Sequence, residues 1–277
     1  MPVALRPMTL GELLDKTFSL YRTHFTVFVG IMGLPQLLIL ALQLARPAMA
    51  PPSEDLSAAF ARLGSILLWG LVIGVISLVL GSIAQGATVV AVSDLHLGRP
   101  TGIGRAYSAV RHRIGILCLI GFLFALCVGF GLLLFVIPGI LLALAWSLLV
   151  PIAVIEDTGF GDAATRSRFL TRGYRRWIFV TGVLYFVLTM VVAGIWQVPI
   201  VMASVASMRA GTPGEMPAWT LVLAPIGTFV TTCLTGPLIT IALSLIYYDM
   251  RVRKEGFDLE HMMAQLDRTA PEDPAAV

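Results

Sequence analysis

Charge is what this chain has least of. Of its 277 residues only 13% are Asp, Glu, Lys or Arg, while 57% are hydrophobic; soluble domains carry roughly 25% charged residues. Long stretches contain no Asp, Glu, Lys, Arg or His at all. Outside them no piece longer than about 29 residues remains, too little chain to bury a soluble core of its own. The same absence strips the apolar runs of the groups that proton-coupled transporters, voltage sensors and membrane acid–base enzymes normally carry at depth. The three cysteines, Cys118, Cys127 and Cys233, lie inside apolar runs and far from zinc-binding spacings. The four histidines, His24, His96, His112 and His261, form no HExxH pair, and neither a G-x-S-x-G nor a P-loop occurs. No cofactor, metal or nucleic-acid partner is expected.

What is present is apolar length. A hydrocarbon layer of ~30 Å asks for about 20 helical residues, and on that measure the fold class is an all-α polytopic membrane protein with six transmembrane helices. The crossings fall at about 25–45, 63–92, 114–136, 139–155, 177–208 and 218–248. The second and fifth exceed the minimum and should tilt, kink or emerge into the headgroups. Residues 114–155 are one uncharged run, which the helix-breaking pair Pro138-Gly139 should divide into two crossings joined by a tight hairpin. Pro225 and Pro237 should bend the sixth. Ala48-Met49-Ala50 resembles a signal-peptide cleavage site, but a charged leader of 24 residues and an apolar run of 21 favour retention as a crossing. Residues 1–257 thus read as one six-helix domain, and 258–277 as a partly disordered cytoplasmic tail.

The cations are sorted. Sixteen of the 19 Lys and Arg lie in segments 1–24, 93–113, 156–177 and 249–277, leaving Arg46, Arg62 and Arg209 for the other side. This is the positive-inside pattern, and it puts both termini in the cytoplasm.

Three of the basic segments read as short amphipathic helices, each leading into a pair of crossings, so that the six helices form three pairs. In the first, Thr9 and Glu12 make a capping box, and Leu10, Leu13, Leu14, Thr17, Phe18 and Tyr21 share a face. The second sets Ile103, Ala106, Tyr107 and Val110 against Arg105, Arg111 and Arg113; the third sets Ala163, Phe169, Leu170 and Tyr174 among five arginines. Such helices belong in the inner headgroup layer, with each cation near an anionic surface contributing ~1 kcal/mol. Asp94, Glu156, Asp157 and Asp249 end crossings at the same depth, where ion pairs between helix ends are the economical reading. The candidate lipid-headgroup or interfacial ion-pair residues are therefore Arg22, Asp94, Arg99, Arg111, Glu156, Arg172, Asp249, Arg251 and Arg253.

Within the apolar runs, Gly70, Gly74, Ser77 and Gly81 form a small-residue stripe, as do Gly121, Ala125 and Gly129. Close helix contact inside the chain and homo-oligomerisation through Gly70, Gly74 and Gly81 are both open. Thr228, Thr231, Thr232, Thr235, Thr240 and Ser244 crowd the sixth crossing, where back-bonding to carbonyls and a polar pathway with Gln197 compete.

Four stretches, Leu5 to Asp15 with Leu20-Tyr21-Arg22, Val92 to Pro100, Val136-Ile137-Pro138-Gly139-Ile140, and Tyr247 to Asp258, resemble the glycerophosphoryl diester phosphodiesterase membrane-domain family. The resemblance spans nearly the whole chain. It implies a bacterial inner-membrane component that anchors, regulates or feeds lipid-derived substrates to a partner. It implies no phosphodiesterase activity, because the catalytic barrel of fused members needs roughly 250 residues of its own. The expected function is a non-catalytic scaffold or accessory protein that engages anionic lipid headgroups, and a partner protein, at its cytoplasmic face. A transporter or channel for a small neutral or amphipathic solute is the alternative, because Pro35, Pro199, Pro225 and Pro237 interrupt crossings. An integral-membrane enzyme acting on lipid headgroups is the third.

Overall fold

The computed structural model describes residues 8–45, 56–210 and 217–255. The tail 258–277, the Ala48-Met49-Ala50 motif, Arg6, Arg46 and Arg268 lie outside the described residues. Those described are all-helical: α1 (Leu10–Thr23), α2 (Phe25–Leu44), α3 (Leu56–His96), α4 (Ile103–Val110) with a 3-10 turn (Arg111–Arg113), α5 (Ile114–Leu134), α6 (Val136–Ala145), α7 (Leu149–Ile155), α8 (Phe160–Thr171), α9 (Arg175–Arg209) and α10 (Ala218–Glu255). Six helical stretches, 25–44, 56–96, 103–134, 136–155, 175–209 and 218–255, are long and apolar enough to cross a membrane. By helix length and hydropathy this is a multi-pass membrane protein. α3, with 41 residues, is about 60 Å long, twice what one crossing needs.

The second, fifth and sixth helical stretches run past the expected crossings, and the third and fourth depart in how they turn and break. The α5–α6 hairpin turns at Phe135, which alone is extended (φ −150°, ψ 120°), so the third crossing ends at Leu134 and the fourth begins at Val136. Pro138 then occupies the first turn of α6, where a missing N–H costs nothing. Gly139 makes the turn tight: a Cβ there would lie 2.5 Å from the Leu132 nitrogen, and one on Gly131 3.0 Å from the Gly139 Cα. The fourth crossing is also not one helix. It breaks at residues 146–148: Pro151, in the first turn of α7, has no N–H to offer the Ser147 carbonyl, and Ser167 of α8 bonds the backbone groups on either side of the break. The Ser167 hydroxyl donates to the Ala145 carbonyl (2.7 Å) and accepts from the Leu148 N–H (3.4 Å).

At Pro35 a tyrosine takes the place of the missing donor. Pro35 leaves the Ile31 carbonyl of α2 without its usual partner, and the Tyr107 hydroxyl of α4 donates to it at 2.6 Å. The Tyr21 hydroxyl of α1 donates to the Leu234 carbonyl of α10 at 2.8 Å, beside Cys233, whose helical partner is the absent N–H of Pro237. Both tyrosines thus staple a short helix to a long one that contains proline.

The core gathers around the last third of α10, where Ile241, Leu245, Ile246, Tyr247 and Met250 are almost fully buried against Phe28, Ala91, Leu149, Ile152 and Leu170. The first half of α3 and most of α9 stand outside it, with Leu67, Leu71, Phe186, Val191 and Ile195 exposed to the membrane. The small-residue stripe lies in that outer part. Among the described residues nothing sits within 4 Å of a Cβ built on Gly70, Gly74 or Gly81, so these three glycines mark no close helix contact there. Gly129 is equally open, whereas Gly121 packs on Ser82 and Gly86 on Leu117.

Candidate functional site

The arginine-bearing segments meet at one end of the bundle, and α8 makes its most open face there. At the end of α8, Arg172 is extended, Gly173 takes a left-handed φ of +93° and α9 starts at Arg175. That corner carries Arg168, Arg172, Arg175 and Arg176 around a groove of about 630 Å³, floored by Phe169 and Gly173. Among the described residues no acidic side chain lines it. Lys254 of α10 closes one side, its Nζ donating to the Phe169 and Arg172 carbonyls at 2.6 and 2.8 Å, so the C-terminal carbonyls of α8 are occupied by a cation and do not offset the arginines. Arg168 lies over the Trp146 ring at 5.5 Å, and the buried Arg175 Nε has no hydrogen-bond partner.

Beside the groove runs a closed ring of side chains. Glu156, at the end of α7, accepts from Arg166 Nε at 2.7 Å and from the Tyr247 hydroxyl at 2.8 Å. Arg166 Nη2 donates to Glu255 at 2.8 Å. Arg251 Nε donates to the same carboxylate at 3.1 Å, and Arg251 Nη1 reaches the Tyr247 hydroxyl at 3.4 Å. α7, α8 and α10 are thereby tied by two acids, two arginines and a tyrosine. Burial alone would lower the Arg166 pKa, but its hydrogen bonds and charge pairing with Glu156 and Glu255 hold it above the ordinary guanidinium value.

A second clamp fixes the start of the described chain. Asp249, buried, accepts from the Met8 N–H and from Arg253 Nε, each at 2.7 Å, while Arg253 Nη2 donates to the Met8 carbonyl at 2.5 Å. Arg253 also lies 5.2 Å from the Trp177 ring centre. Arg113 donates to the Ala153 carbonyl at 2.7 Å and pairs with Asp157, a non-glycine residue at φ 58°.

Of the sequence candidates, Arg172 is in the groove, Glu156 and Arg251 in the ring, and Asp249 and Arg253 in the clamp. Asp94 pairs with Arg105 at 3.3 Å. Arg22 lines a separate hollow of about 440 Å³ with Phe18, Tyr21 and Phe25 at the α1–α2 corner. Arg99 and Arg111 are exposed. Phe18 and Phe169, read from the sequence as apolar members of the interfacial helices, are half exposed at 52% and 53%, each beside an arginine in one of the two hollows. Sequence reasoning passed over Arg166, Glu255 and Tyr247. Tyr247, Arg251 and Glu255 recur four apart on α10, a spacing that puts them on one face and was the available signal. Among the described residues no group of three or more His, Cys, Asp or Glu is placed to hold a metal ion.

The chain matches no family model, no curated protein and no solved structure. Fold and site define a class: an all-helical multi-pass membrane protein with a cation-lined groove at one end.

Proposed function

We infer that this protein is a non-catalytic membrane scaffold or accessory factor that holds anionic lipid headgroups at its basic end, with that end on the cytoplasmic side of a bacterial inner membrane. The observation that carries the reading is the groove of Arg168, Arg172, Arg175 and Arg176, which has no acid lining it among the described residues. Guanidinium groups suit the planar, bidentate geometry of phosphate oxygens, and Phe169 offers an apolar surface for the glycerol end of a lipid. At ~1 kcal/mol per cation near an anionic surface, four arginines favour an acidic phospholipid over a neutral one without any special contact. The resemblance to the phosphodiesterase membrane-domain family belongs to this reading, as does a partner protein docked on the same face. Native mass spectrometry of the full chain with phosphatidylglycerol tests it: Arg168→Gln, Arg172→Gln and Arg176→Gln together should strip the retained lipid, and unchanged retention rejects the groove as its seat.

One observation favours a second reading, transport of a small neutral solute. Between α9 and α10 a cleft of about 240 Å³ is lined by Thr189, Gln197, Thr228 and Thr232, and the buried Thr189 hydroxyl has no partner. Trp196 Nε1 donates to Thr231 Oγ1 across it at 2.9 Å. Solute uptake into proteoliposomes that Thr189→Val abolishes would favour this reading over the scaffold.

A further inference from the structure

A different cavity, of about 310 Å³, opens between α3, α7 and α10 and is independent of the arginine groove. Its polar side carries Ser93, Asp94, Tyr248 and Arg251. Its apolar side is made by Val90, Val154 and Ile155.

Asp94 is the unusual member. The residue is 9% exposed, and its Oδ2 is buried without a hydrogen bond. Arg105 Nε lies 3.3 Å from that oxygen, close enough to compensate charge but not aligned as a donor, and the Arg105 side chain is 54% exposed, so water screens the pair. A carboxylate drawn out of water and left short of donors is costly; that oxygen has no accessible surface, so a ligand meets the carboxylate through the part of the side chain, 12% exposed, that lines the cavity. Across it stands the opposite charge: Arg251, held in place by Glu255 and Tyr247. The Tyr248 ring between them is fixed by stacking on His96 at 4.7 Å between centroids and by a hydroxyl contact with Ser93 at 2.7 Å.

We propose that this cavity binds a phosphate-linked primary ammonium, the ammonium donating to Asp94 and the phosphate facing Arg251, with the remainder of the ligand on Val90, Val154 and Ile155. Spatially separated fixed charges of both signs over an apolar wall are complementary to the ethanolamine phosphate headgroup. A trimethylammonium headgroup has the same net charge but no N–H, so Asp94 gains nothing from it.

The test compares phosphatidylethanolamine with phosphatidylcholine of identical acyl chains, added to the detergent-solubilised full chain and read by native mass spectrometry. The ethanolamine lipid should be retained about tenfold more strongly, the value of one charge-assisted hydrogen bond, and Asp94→Asn should erase the preference. Ile155→Phe, which narrows the apolar side and leaves the charges alone, should weaken both lipids. Equal retention of the two lipids in the unaltered protein, or a preference that survives Asp94→Asn, overturns the proposal. If Asp94→Asn does not fold, shown by loss of phosphatidylglycerol as well, Ile155→Phe decides alone: unchanged ethanolamine-lipid retention then overturns it. The triple arginine variant of the groove should keep the ethanolamine preference, so the two sites fail separately. Soluble phosphoethanolamine, added as competitor, separates the two sources of the headgroup: displacement of the lipid assigns recognition to the headgroup alone, and resistance assigns it to a lipid held also by the apolar side. Both outcomes retain the ammonium–phosphate chemistry.

Discussion

The two ends of α10 are made of the same helix in two different surroundings. Toward Glu255 almost every side chain from Pro237 to Met250 is buried, and hydroxyls, acids and arginines close hydrogen bonds onto Met8 ahead of α1, the end of α7 and α8. Toward Ala218 the helix shows Trp219, Leu221, Val222 and Ile226 to the membrane and touches chiefly α9. Apolar packing adds little driving force inside lipid, because the tails are as apolar as the side chains. Polar contacts at the basic end supply what the outer half does not, so the chain concentrates its specific structure where lipid headgroups and water make polar groups tolerable. The outer half can be loosely packed because its environment asks only that it be apolar.

That contrast ranks the expected effects of substitution. The largest belongs to the clamp: Asp249→Ala removes a buried acceptor from both Arg253 and the Met8 N–H, and breaking such a pair costs about 3–5 kcal/mol. A thermal unfolding midpoint in detergent should fall accordingly, and a midpoint unchanged would show that the basic end is not where stability resides. Next comes the exception in the outer half. Gly139→Ala puts a Cβ 2.5 Å from the Leu132 backbone nitrogen and should cost about 1–3 kcal/mol, read in the same melts.

The proline–tyrosine pair gives a smaller effect with a distinctive sign. Tyr107→Phe leaves the Ile31 carbonyl unpaired and should cost about 1 kcal/mol. Pro35→Ala restores an N–H to that carbonyl, so in a double-mutant cycle the loss from Tyr107→Phe should shrink in the Pro35→Ala background; additivity would mean that the hydroxyl does not serve that carbonyl. The smallest effect is at the open stripe, where Gly74→Ala meets nothing within 4 Å and should be neutral or gain up to about 1 kcal/mol of helix propensity. A loss there, or a change of oligomeric state on size exclusion, would show a second copy seated on α3.

The helices of the described residues were legible in unequal measure. Apolar length between charged segments marks the crossings, because the hydrocarbon layer imposes its thickness on the chain directly. The capping box was equally local and is present, with Thr9 N–H donating to Glu12 Oε2 at 2.8 Å and Glu12 N–H to Thr9 Oγ1 at 3.3 Å. What could not be read were features whose cause lies far along the chain. The break before α7 depends on Ser167, 22 residues past the Ala145 carbonyl it caps. Pro35 announces an unpaired carbonyl, yet nothing near it identifies Tyr107, 76 residues from Ile31, as the donor. The ring of Glu156, Arg166, Tyr247, Arg251 and Glu255 draws on three helices, so charge sorting could place its members at one depth without saying which acid meets which arginine. The groove had a partial signal: five arginines in 166–176 marked a dense cluster, but only the turn at Gly173 gathers four of them around one hollow.

The central claim is that the α8–α9 groove, and not a diffuse collar of positive charge, holds anionic lipid. Two triple variants with the same loss of charge separate these directly. Retention of phosphatidylglycerol in native mass spectra is measured for Arg168→Gln, Arg172→Gln, Arg176→Gln and for Arg22→Gln, Arg99→Gln, Arg111→Gln. A specific groove loses lipid in the first set and keeps it in the second. Equal retention in the two would contradict the account.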